Sequence, residues 1–93
     1  MYRNELNIDA LNQVAGGKLA WLNSAQEMED SPIFEGLKNV IAETKSHLDL
    51  SKHNNMNELE LRMLIYARAP ENGEHCFTRD TCKAFIKKYL PLV

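Results

Sequence analysis

The sequence predicts an all-α protein, a compact bundle of four to five short helices, and three observations lead there. Leu, Ala, Glu, Lys, Met and Asn are common and β-branched residues are few, a balance that suits helices. Three prolines and four glycines punctuate the chain only sparsely. Apolar residues recur three or four positions apart along several stretches, the spacing of one helical face.

The first predicted helix runs from about Glu5 to Ala15, with Asn4 or Asn7 as N-cap and Ile8, Leu11, Val14 and Ala15 on one face. Gly16-Gly17 ends or kinks it, because each glycine costs about 1 kcal/mol inside a helix. The second covers Leu19 to about Glu29, with Leu19, Trp21 and Leu22 apolar. For the third, Ser31 is the expected N-cap and Pro32 the first helical residue, where its missing N–H is harmless. Phe34, Leu37, Ile41 and Leu48 then form a stripe with Ile33 and Val40 beside it. Lys52–Asn57 reads as a polar turn.

Glu58–Ala69 supports two periods. Leu59, Leu61, Met63, Ile65 and Ala67 alternate as in a strand, whereas Leu61, Leu64, Ile65 and Arg68 fit a helix. Residue types favour the helix, and Asn55 with Glu58 resembles a capping box. Pro70–Gly73 is a turn. The last helix is expected to start at Thr78 and stop at Pro91, with Cys82, Phe85, Ile86 and Tyr89 inward. The predicted core is Phe34, Leu37, Ile41, Leu61, Leu64, Ile65, Cys82, Phe85 and Ile86.

At 93 residues the chain has room for one domain. Its 44% apolar content and net charge of −2 exclude a disordered chain. No stretch approaches the roughly 18 apolar residues of a membrane span. Arg79, Lys83, Lys87 and Lys88 form a small basic face on the last helix, but acids outnumber bases before it, so nucleic-acid binding is not expected.

One segment carries a sharper pattern: Leu6-Asn-Ile-Asp-Ala-Leu11-Asn-Gln-Val14-Ala-Gly16-Gly17. It resembles the double-glycine leader of bacteriocins and microcins. The resemblance implies that Leu6, Leu11 and Val14 are gripped by a peptidase domain of an export transporter. Gly16-Gly17 is then the cleavage site, leaving residues 18–93 as an exported peptide from a bacterial or phage source. The plainer reading is an amphipathic helix with a glycine C-cap in a single 93-residue domain.

Two further sets suit metal ions. Asp49, Ser51, His53, Asn55, Asn57 and Glu60 stand at positions 1, 3, 5, 7, 9 and 12 of an EF-hand-like loop, though Asn54 replaces the glycine of position 6. His75, Cys76 and Cys82 offer imidazole and thiol ligands for zinc without the close knuckle spacing. A polar turn and a core cysteine are the competing readings, and the two cysteines are equally compatible with a disulfide in an exported protein. No nucleophile elbow, phosphate-binding glycine loop or zinc-protease motif is present. The expectation is a non-enzymatic, cofactor-free cytoplasmic module that binds a protein partner or itself. The exported peptide and a metal-binding module are the alternatives.

Overall fold

A computed structural model describes residues 19–93. The first predicted helix and the double-glycine segment lie outside the described residues. The elements in order are strand β1 (Ala20–Trp21), helix α1 (Ala25–Glu29), α2 (Phe34–His47), α3 (His53–Arg68), a 3-10 turn (Pro70–Asn72), strand β2 (His75–Cys76), α4 (Arg79–Tyr89) and a closing 3-10 turn (Leu90–Leu92). The all-α expectation holds in outline. The addition is a two-stranded parallel sheet, with Ala20 opposite His75 and Trp21 opposite Cys76.

That sheet corrects the helix expected over Leu19–Glu29. Ala20 N–H donates to the Glu74 carbonyl at 2.9 Å and Leu22 N–H to the Cys76 carbonyl at 2.8 Å, which draws residues 20–22 into an extended path. The helix waits for Ser24, whose hydroxyl accepts from Glu27 N–H, while the Glu27 carboxylate accepts from Asn23 N–H at 2.8 Å. These two bonds close the chain into a helical turn at both sides of the cap.

Ser31 does not cap α2. Its hydroxyl donates back to the Met28 carbonyl at 2.7 Å, Pro32 stays in the turn, and α2 starts after Ile33. The polar turn expected at Lys52–Asn57 lies earlier. Asp49 Oδ1 accepts from the Ser51 N–H and hydroxyl, and Lys52 N–H donates to the Asp49 carbonyl. Residues from His53 onward are already helical, so Asn55 and Glu58 form no capping box. Met56 packs against the core from this first turn, which outweighs the poor helix propensity of three asparagines.

Helix α3 corrects the predicted core. Leu59, Met63 and Ala67 are buried, whereas Leu61 is 51% and Ile65 is 62% exposed, and Leu64 is half-buried. The strand-like alternation is therefore two helical stripes on opposite faces. The buried stripe extends over three turns with Met56 before it, and the small Ala67 lets α3 approach its neighbours. The outer stripe is closed at each end by a charge, Glu58 and Arg68, and burying it against the rest of this fold would desolvate both.

Leu37 and Ile41 from α2, Met28 from α1, Cys82, Phe85 and Ile86 from α4, and Leu22, Ile33 and Phe77 from the connections complete the core, whereas Phe34, expected in it, is only partly buried. Phe34, Phe85 and Tyr89 join the ends of α2 and α4, with centroids 4.8 to 6.2 Å apart. Thr78 caps α4 as expected, accepting from Thr81 N–H. Lys45 donates to the Leu90 and Val93 carbonyls, binding α2 to the C-terminal turn. The turn at Pro70–Asn72 ends at Gly73 with φ +91°, a left-handed conformation where a side chain would also meet the His75 ring.

Candidate protein-binding surface

The outer face of α3 exposes two large apolar side chains one turn apart, Leu61 and Ile65. This ridge stands between two grooves. On one side a groove of about 240 Å³ is lined by Asn57, Glu60, Leu61, Leu64, Phe77, Thr78, Arg79 and Cys82. On the other, about 350 Å³ is bounded by Val40, Glu43, Thr44, Arg62, Ile65 and Tyr66. The sequence marked this face as apolar but assigned it to the core. Its exposure could have been read from Glu58 and Arg68 at the two ends.

The first groove is floored by an ion pair that holds α3 to α4. Arg79 Nε donates to Glu60 Oε1 at 2.7 Å, and Arg79 Nη2 donates to Asn57 Oδ1. Glu60 is buried while Arg79 is half-exposed, and Glu60 Oε2 is a buried oxygen without a hydrogen-bond partner among the described residues. Sequence reasoning gave Glu60 to a calcium loop and Arg79 to a basic face, and missed the pair because nineteen residues separate them.

That pairing corrects the calcium reading. Glu60 turns toward α4, Asp49 Oδ1 is taken by Ser51, and Asn55 Nδ2 donates to the Asp49 carbonyl. His53, Asn55, Asn57 and Glu60 all sit on the helix α3, not on a loop that could wrap an ion. The Ser51 hydroxyl and N–H hold the Asp49 carboxyl below its usual range.

The zinc candidates separate as well. His75 Nδ1 lies 2.9 Å from the Asn72 carbonyl. Cys76 and Cys82 are buried, unbonded thiols on different elements. Burial first, and the Glu60 charge second, push the Cys82 thiol up to about 12, so the thiolate that a metal or nucleophilic role needs is disfavoured there. Its Sγ rests 3.8 Å from Met63 Sδ, as a core group. Among the described residues no three His, Cys, Asp or Glu side chains converge on a metal position.

Arg79, Lys83, Lys87 and Lys88 are exposed on α4 as read. Two of them are engaged within the fold. Arg79 holds Glu60, and Lys88 donates to Glu29 on α1, a hydrogen bond that holds Glu29 below the usual carboxylate range and Lys88 above its own. Lys83 and Lys87 border a third groove with Met56, Ile86 and Leu90. Among the described residues no helix is long and apolar enough to cross a membrane. Leu6, Leu11, Val14, Gly16 and Gly17 lie outside the described residues. Comparison of the chain with protein-family models, curated proteins and solved structures gives no match.

Proposed function

We propose that the chain is a small non-enzymatic interaction module, of the inhibitor, immunity or adaptor type, that binds protein through the outer face of α3. One observation carries this reading. Leu61 and Ile65 stand exposed as a ridge between two grooves, on a helix whose opposite face already satisfies the core. Two large aliphatic side chains held in water gain free energy when another surface covers them. In this reading the chain acts in the cytoplasm with both thiols free. The test is a photo-crosslinking residue placed at Ile65 and, as a control, at Asp80 on α4, in cells that make the protein. The reading expects a crosslinked protein product from position 65 and none from position 80. No product from 65, or equal products from both, overturns it.

The exported-peptide reading rests on the Leu6–Gly17 pattern of the sequence. Mass spectrometry of culture medium tests it: a fragment beginning at Lys18 supports export, and only full-length chain inside cells rejects it.

A further inference from the structure

Four residues lie along the outer face of α3 in the order Glu58, Leu61, Ile65, Arg68, at spacings of three, four and three. At 3.6 residues per turn they fall within about 80° of arc, centred opposite the buried Met63. The order is palindromic in chemistry: an acid toward the N-terminus, two branched aliphatics in the middle, a base toward the C-terminus. Rotating a second α3 by half a turn about an axis at the level of Met63 sets Leu61 against Ile65 of the second copy. It sets Glu58 against Arg68 of the second copy, and each match occurs twice.

In heptad terms Glu58 and Ile65 take a positions, and Leu61 and Arg68 take d positions. An antiparallel pair opposes each a with a d, so Leu61 meets Ile65, and Glu58, whose Oε2 also accepts from Arg62 Nε of its own helix at 3.0 Å, meets Arg68. A parallel pair would set Glu58 against Glu58 and Arg68 against Arg68. The grooves beside the ridge receive the flanking side chains of the second helix, as ridges-into-grooves packing requires.

We propose that the occupant of this face is a second copy of the chain, seated antiparallel, α3 against α3, about a two-fold axis. Charge complementarity of the face with itself selects this occupant over an unrelated helix. The proposal rests on the reading of α3 as a binding surface and names its partner. Such a contact is isologous and closes at two copies. It is centred on one helix pair and falls at the small end of specific interfaces, roughly 1,000 Å² or less, so association is weak and concentration-dependent.

The test is sedimentation equilibrium of the full chain from micromolar to millimolar concentration at low salt. The wild-type mass should rise from 10.7 kDa toward twice that value. Leu61→Glu should stay at the monomer mass. Glu58→Arg and Arg68→Glu should each weaken association by about tenfold or more, as like charges then meet across the axis. An equimolar mixture of these two variants should associate again, and the double variant E58R/R68E should behave as wild type. The charge variants leave the core untouched, so they decide the matter even if Leu61→Glu loses helicity. A wild-type chain monomeric at millimolar concentration overturns the proposal. So does a dimer indifferent to both single charge changes, which would be parallel or seated elsewhere. A crosslink from Ile65 to a different protein, without mass doubling, sinks the dimer and keeps the interaction module. No crosslink from Ile65 together with no mass doubling sinks both.

Discussion

Helix α3 carries two apolar stripes of nearly equal strength, and they meet different fates. Leu59, Met63 and Ala67 are fully buried; Leu61 and Ile65 stand more than half exposed. Hydrophobicity alone does not separate them. What separates them is continuity and ends. The inner stripe runs on to Met56 and carries a small residue where neighbours come close, so burial adds up over successive turns. The outer stripe is two residues long between Glu58 and Arg68, and burying it against this fold would drag a charge under at each end. The inner face builds the fold and the outer face remains for something else.

The strongest way to break the comparison is on the inner face. Met63→Ala should cost about 2–5 kcal/mol, because its side chain is wholly enclosed and the surrounding residues refill the space only in part. Urea denaturation measures it, and a loss under about 1 kcal/mol would remove Met63 from the core. The next effect lies where the two faces meet. Arg79→Ala leaves the buried Glu60 carboxylate without its cation and should cost about 1–3 kcal/mol, toward the lower end because Arg79 is half-exposed. A double variant that also replaces Glu60 with Gln should lose less than the sum of the two single changes, since the pair is then removed together.

At the other border, Gly36 lies under the Tyr66 ring, and an added Cβ would fall on its hydroxyl end. Gly36→Ala should therefore cost about 1 kcal/mol net, a crowding penalty of about 1–3 kcal/mol reduced by a gain in helix propensity of about 1 kcal/mol. A variant more stable than wild type would mean that Tyr66 swings away freely. Alkaline pH probes the inner side independently. The Cys82 thiol is raised from 9.0 to about 12. Its contribution is fully present below about pH 9 and is lost as pH rises toward 12, because the unfolded chain releases this proton first. The loss should be on the order of 1 kcal/mol near pH 10. Cys82→Ala should flatten that slope, and iodoacetamide at neutral pH should label Cys82 only after unfolding. The smallest effect belongs to the outer face: Ile65→Ala should change stability by less than about 0.5 kcal/mol.

Part of this fold is legible in the sequence. The Thr78 cap, the inward Cys82, Phe85 and Ile86 of α4, Leu37 and Ile41 of α2 and the turn at Gly73 follow from local spacing, and local chemistry decides them. The start of α1 is missed: the apolar Leu19–Leu22 draws the expected helix back past Ser24, whose cap bonds with Glu27 the expectation does not include. The sheet was not legible. Two residues carry no period, and Ala20–Trp21 becomes a strand only because the carbonyls of Glu74 and Cys76, more than fifty positions away, accept from Ala20 and Leu22 N–H. The candidate surface was half legible. Its residues were singled out as apolar, yet a helix with two such stripes does not announce which one its neighbours will cover. The Glu60–Arg79 pair was invisible for the same reason as the sheet, since folding alone brings its partners together.

The division of α3 into a folding face and a binding face is tested most directly by measuring two properties of one variant, Ile65→Glu. A glutamate suits an exposed helix between Arg62 and Arg68, so the fold has no reason to lose it. The account predicts a urea midpoint within error of wild type, together with loss of the concentration-dependent mass increase and of any protein complex formed through this face. A midpoint that falls by the equivalent of about 2 kcal/mol or more, with association unchanged, would contradict it and return Ile65 to the core.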